Sequence, residues 1–192
     1  MPRKVLGIDQ SLSHCAAVLI EDGIATEKYV FRTGSSSSKT KSKGVIYFET
    51  QVEQIIYIID NIVELVNRIK PDVIVLESLS FASVGNATRT LAGLYFCIMY
   101  QLYKLGYGDR VHHLAPTSIK SWARNKLPED QQTELNKKGK KIKKKMDKKD
   151  MIQVTEMLDS GLLKGYTLVA GKADIADAFI LAKCYEEKQE AI

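Results

Sequence analysis

The chain contains no apolar run near the ~20 residues that a membrane-crossing helix needs, so no membrane span is expected. It also shows no signal-peptide core, because Met1-Pro2-Arg3-Lys4 passes directly into a strand-like run. Cysteine is scarce: Cys15, Cys97 and Cys184 are odd in number, far apart and set in apolar surroundings. They are expected as reduced core thiols, which suits a cytosolic compartment. No Cys/His group has zinc spacing, and His14, His112 and His113 receive no role. No internal repeat is visible. What remains is ordinary for a globular chain, with 192 residues, 45% hydrophobic and 27% charged, enough for one domain spanning 1–192 with a sizeable core.

Charge is unevenly placed. The formal net charge is +5, yet Lys137 to Lys149 holds nine lysines against one acid, Asp147. Without that segment 19 basic and 22 acidic residues remain, a net of −3. Basicity is a local device here, carried by a Lys-rich segment at 128–149 that has hardly any apolar residue and reads as a linker or solvated arm.

The chain is organised around Val5-Leu6-Gly7-Ile8-Asp9-Gln10-Ser11. Its apolar start, flanked by Arg3 and Lys4, reads as a buried strand. Asp9 is out of place there, since a carboxylate at the end of a core strand is costly to desolvate without a cation or donors. Cys15 to Ile20 gives a second strand, Asp22-Gly23 a hairpin turn, and Thr26 to Thr33 a third strand. The polar stretch 34–44, rich in serine, reads as a mobile surface loop. Apolar residues then recur at helical spacing from Val45 to Ile69, and Pro71 ends that helix. Val73-Ile74-Val75-Leu76-Glu77 follows as a buried strand closing on an acid. Asn86 is placed to cap a helix to about Leu105. A short strand is expected at Arg110–Leu114 and a helix from Pro116 to about Lys126. Helical spacing resumes over Asp150–Leu158, and Ala173 to about Glu187 forms the last helix.

This order predicts an α/β fold: a five-stranded mixed sheet, three antiparallel strands and then two parallel ones, flanked by helices. Right-handed crossovers set the fourth strand beside the first, which brings Glu77 next to Asp9. Asp174 and Asp177 stand three apart on the last helix and can face one way. Each acid has an ordinary structural explanation. Acids near a helix N-terminus favour its dipole, Glu77 can be a solvated strand end, and Asp9 can cap a turn. Together they are more specific, because four carboxylates meeting at one edge repel unless divalent cations neutralise them. Oxygen donors with open water positions suit Mg²⁺ or Mn²⁺. A pair of such ions roughly 4 Å apart can activate water and stabilise a leaving oxygen in phosphodiester hydrolysis.

Gly7-Ile8-Asp9-Gln10-Ser11, Val73-Ile74-Val75-Leu76-Glu77 and Ala173-Asp174-Ile175-Ala176-Asp177-Ala178 resemble the three acidic motifs of the RuvC family of Holliday-junction resolvases, which are ribonuclease H-like nucleases. His113 to Lys120 resembles the strand-to-helix segment that precedes a basic residue in that family. The resemblance implies a homodimer that nicks two strands of like polarity across a four-way junction with two Mg²⁺ ions, Mn²⁺ substituting. It implies Asp9, Glu77, Asp174 and Asp177 as metal ligands. Lys120, and Lys148 or Lys149, match basic residues near the scissile phosphate, with Lys149 given the catalytic role. The chain departs from the family by Asp9-Gln10-Ser11 in place of Asp-Pro-Gly. Its Ser-rich loop and Lys-rich arm also look long and resemble virus or phage versions, so a bacterial cytoplasm or an infected host cell is the expected setting. An aromatic residue follows the second acid in the family and is used at the junction; Phe81 stands near that position.

Next to an acidic edge, Lys137, Lys138, Lys140, Lys141, Lys143, Lys144, Lys145, Lys148 and Lys149 are expected to hold DNA phosphates that the carboxylates would repel. The stripe Tyr95, Phe96, Tyr100 and Tyr103 is expected as core or dimer interface, and Trp122 as a packed anchor. The long apolar helices at 45–69 and 86–105 are the expected dimer surface. Competing readings are an actin- or sugar-kinase-like ATPase, whose duplicated lobe and further phosphate-binding loop would need a longer sequence with a repeat, a non-catalytic DNA-binding module, and a less selective branched-DNA endonuclease.

Overall fold

The structure is a computed structural model that describes residues 4–79 and 85–190. Its centre is a mixed sheet. Strands β1 (Lys4–Asp9), β2 (His14–Glu21) and β3 (Ile24–Ser35) form an antiparallel meander. Asp22 and Gly23, at φ 47° and 84°, form the two-residue turn that this twist favours. Strand β4 (Ile46–Phe48) pairs parallel to β3. A crossover through helix α1 (Gln51–Ile69) then leads to β5 (Val73–Glu77), parallel to β1. Helix α2 (Asn86–Lys104) leads to β6 (Val111–Leu114), parallel to β5. The strand order is β4-β3-β2-β1-β5-β6.

The sheet therefore has six strands, not the expected five. The extra one is β4, three residues long, in a stretch whose apolar spacing reads as helix. The helix starts at Gln51, because Thr50 caps it: the Thr50 hydroxyl accepts from Glu53 N and the Glu53 carboxylate accepts from Thr50 N. Gly85, not Asn86, is the cap of α2.

Side chains alternate across the sheet and build two cores. Leu6, Ile8, Ile74 and Leu76 face α1 and α2, where Ile58, Ile62, Leu94 and Ile98 cover them. Val5, Val18 and Val75 face the other layer: α3 (Pro116–Lys126), α4 (Lys148–Leu158) and α5 (Lys172–Glu190). Gly7 sits where α5 crosses β1, and a Cβ there would lie 2.2 Å from the Ala178 carbonyl oxygen. Only a residue without a side chain lets the helix come so close.

The segment 128–149 is not a featureless linker. It holds a short antiparallel hairpin, β7 (Thr133–Leu135) and β8 (Lys141–Lys143). Asp147 then caps α4, its carboxylate accepting from the backbone of Lys149 and Asp150. Cys15 and Cys184 are buried as expected, but Cys97 is exposed on α2. Among the described residues no helix is long and apolar enough to cross a membrane.

Candidate active site

Parallel strands end their chains on one side of a sheet, and β1, β3, β5 and β6 all do so here. Ile8 pairs with Leu76, so Asp9 and Glu77 come next on adjacent strands at that edge. Gln10 joins the two ends, its side-chain amide donating to the Glu77 backbone carbonyl at 2.7 Å. The contact of α5 with Gly7 brings the start of that helix, with Asp174 and Asp177, over the end of β1. A cavity of about 360 Å³ opens there, lined by Asp9, Glu77, Asp177, Lys120 and Lys148 among others.

The carboxylates feel one another. Asp9 keeps part of its surface open to the cavity, yet burial pushes its pKa well above the usual range, and Asp177, Glu77 and Asp174 raise it further. Asp177 is pushed up to about 7, first by burial and then by Glu77. Glu77 is raised by burial, with Lys120 acting against the rise. Lys148 acts the same way on Asp9 and Asp177. The site is thus an acid cluster short of positive charge, relieved from one flank by two lysines.

The structure brings Asp9, Glu77, Asp177 and Lys120 to one cavity. Asp174 lies on an adjoining cleft with Lys148 and Lys149 and still raises the pKa of both Asp9 and Asp177. Lys148, not Lys149, faces the Asp9 cavity, because the phase of α4 turns its first residue toward the acids. Lys144 is held in an ion pair with Asp150. Lys137, Lys138 and Lys140 sit exposed in the hairpin turn, Lys141 and Lys143 are exposed on β8, and Lys145 is exposed just beyond it. Phe81 lies outside the described residues. Sequence reasoning noted Gln10 only as a departure from a motif. Its link to Glu77 depends on strand register, which a single polar residue does not announce.

The donors fit a hard divalent cation by type, since all four acids offer carboxylate oxygens. One more buried acceptor, the Gln10 side-chain carbonyl oxygen, lies next in sequence to Asp9 and has no hydrogen-bond partner among the described residues. No three His, Cys, Asp or Glu side chains among those residues form a ready-made metal-binding group. Carboxylates without a cation between them gain by standing apart.

No family model and no curated protein matches this sequence. Solved structures do match. RuvC of T. thermophilus in complex with Holliday junction substrate aligns over 98% of this chain and 95% of its own, with 15% identity and a TM-score of 0.64. A further Thermus thermophilus RuvC structure aligns over 98% and 96%, with 14% identity and a TM-score of 0.64. The yeast mitochondrial Holliday junction resolvase Ydc2 aligns over 97% of this chain and 78% of its own, with 18% identity and a TM-score of 0.60. The likeness is one of fold: the chain folds as the RuvC-type resolvases do over nearly its whole length.

Proposed function

We propose that this chain is a structure-selective DNA endonuclease that resolves four-way junctions by metal-dependent phosphodiester hydrolysis. The observation that carries it is the meeting of Asp9, Glu77 and Asp177 at one cavity, with Asp174 in electrostatic reach. This occurs on a fold shared with a protein whose structure holds a Holliday junction. Asp9, Glu77, Asp174 and Asp177 would hold Mg²⁺, two ions in the full site, with Mn²⁺ able to substitute. Bound there, the metal supplies Lewis-acid activation of water and stabilises the leaving oxygen. Lys120 and Lys148 hold the scissile phosphate against the acids' repulsion, and Lys148 takes the place assigned above to Lys149. Exposed lysines of the hairpin and of the segment after it neutralise phosphates farther along the DNA. They do not choose the junction; shape complementarity between a protein dimer and branched DNA does.

The test compares four-way junctions, three-way forks and plain duplex in Mg²⁺, with Asp9→Asn as control. Nicking confined to the four-way junction and lost in the variant is the expected result. Equal nicking of all three substrates would leave a less selective branched-DNA endonuclease. Full activity in Asp9→Asn would remove the acid site from the reaction.

A further inference from the structure

A second cavity, of about 310 Å³, opens on the α1 face beyond the Ser11–Ser13 turn that follows Asp9. It is built from Leu12 and Ser13, the end of β3 at Thr33, Phe48 of β4, and the start of α1 with Glu49 and Gln54. β3 runs parallel to β1, so this cleft lies on the same edge of the sheet as the acids.

Gln54 is the unexplained residue in it. It lines the cavity, is only 5% exposed, and its side-chain amide has no hydrogen-bond partner among the described residues. The buried side-chain atoms without a partner among the described residues are Gln10 Oε1 and Arg32 Nε, so the Gln54 amide meets water through the cleft, and a ligand there can take that water's place. The other polar groups near it are mostly occupied. The Thr33 hydroxyl donates to the Leu12 carbonyl and its backbone N–H to the Ser13 carbonyl. Thr50 and Glu53 satisfy each other at the helix start. The cleft therefore offers an amide with one donor face and one acceptor, the Ser13 hydroxyl at its mouth, and the Phe48 ring as an apolar wall.

Charge narrows the ligand. Glu49 and Glu53 bring two carboxylates to the α1 end, which disfavours phosphate and favours groups that present N–H donors. Lys39 and Lys43 are exposed on the turn between β3 and β4, cations on the chain next to the cleft's strands. A flat, uncharged group with adjacent donors and acceptors, attached to an anionic chain, describes a nucleobase. At a branch point a base has lost part of its stack, and extruding it costs less than from continuous duplex.

We propose that this cleft receives one unpaired nucleobase of the branched DNA, with the Gln54 amide reading its hydrogen-bonding edge. The proposal rests on the function inferred above and adds base preference to it. The test is an abasic scan: four-way junctions with one nucleotide at a time near the crossover made abasic, bound to the full chain in EDTA so that nicking plays no part. One position is expected at which loss of the base weakens wild-type binding about tenfold, the scale of a bidentate amide–base contact. Gln54→Leu is expected to bind the intact junction about tenfold more weakly and to show no further loss at that position, while keeping the wild-type thermal midpoint. Gln54→Met replaces it if leucine lowers the midpoint. Tight wild-type binding with no abasic-sensitive position overturns this inference alone. So does a Gln54→Leu protein that weakens intact and abasic junctions equally relative to wild type, because the cleft would then be touching backbone. A wild type that binds no branched DNA removes the proposed function and the nucleobase site with it.

Discussion

At the scale of single residues, the acid cluster makes a statement about stability. A carboxylate whose pKa rises on folding penalises the folded state when it ionises. Unfolded Asp and Glu titrate at about 3.9 and 4.3, whereas Asp177 is pushed up to about 7 and Asp9 and Glu77 are raised as well. Between about pH 4 and 7 the folded chain thus binds more protons than the unfolded one, and stability rises as pH falls through that window. The Asp177 share of the penalty is fully present above it. Without divalent metal the thermal midpoint should be higher at pH 5.5 than at pH 8, at roughly 2–4 °C per kcal/mol for a chain of this size. Mg²⁺ at pH 8 should recover much of the difference by binding the folded state alone. Asp177→Asn should shrink both effects, and a flat midpoint across this range in EDTA would mean that burial and mutual repulsion do not raise these acids. Gly7 makes a second statement, about position. A Cβ at Gly7 meets the Ala178 carbonyl oxygen at 2.2 Å and the Ala182 nitrogen at 3.0 Å, both backbone. Gly7→Ala must push α5 away, at a cost of about 1–3 kcal/mol for overpacking. Because Asp174 and Asp177 ride on α5, nicking should fall further than stability when measured where the variant is still folded. Gly161→Ala, in the turn after α4 where the added carbon would meet nothing nearer than 3.5 Å, is the control and should leave both intact.

At the scale of elements, the strands that build the core were legible because their apolar runs are long and bounded by turn residues. Placing β5 beside β1 followed from crossover handedness, and the register of Ile8 with Leu76 agrees with it. β4 was hidden, since Val45 and Phe48 fit the helical spacing that runs on to Ile69. The sign that separates them, Thr50 three residues before Glu53, is a capping pair readable in sequence. The hairpin β7–β8 was hidden for another reason. It buries almost no apolar surface, with Leu135 exposed, and its turn is held by local bonds from the Lys138 and Lys140 N–H groups to the Asn136 side chain. The four acids stood out because carboxylates at the ends of apolar strands demand an explanation. Which lysine faces them did not, because it depends on where α4 begins. A hairpin with lysines at its tip also binds DNA differently from a loose arm, as its charges move together. Lys137→Gln, Lys138→Gln and Lys140→Gln combined should weaken binding to junction and duplex alike and lower the slope of log affinity against log salt by about 2–3. The thermal midpoint should stay put, since these side chains are solvated. A triple variant that keeps the wild-type salt slope would show that the hairpin does not touch the DNA.

At the scale of the whole molecule, one surface is left over. Phe96, Tyr100 and Tyr103 recur at i, i+4 and i+7 along α2 and are 64%, 62% and 62% exposed. Tyr95, on the neighbouring face, is tied inward through its hydroxyl to His113. Val52 and Ile56 on α1, the helix packed against α2, are exposed as well. Three large rings in a row on one helix face are more than a solitary chain normally leaves in water. A two-fold pairing through this face would bury them against their own copies and fix two acid sites at a set separation, as paired nicking requires. The chain should therefore sediment at twice its 21.5 kDa mass, and Phe96→Asp with Tyr100→Asp should sediment at the single mass while remaining folded. On a plasmid carrying an extruded cruciform, a dimer with the proposed activity should place both nicks within one encounter and yield linear DNA. The monomeric variant keeps each acid cluster intact, so it should still nick, but one strand at a time, and nicked circles should accumulate. Linear product formed at the wild-type rate by a protein of single mass would separate strand pairing from dimerisation and leave the α2 face without this role.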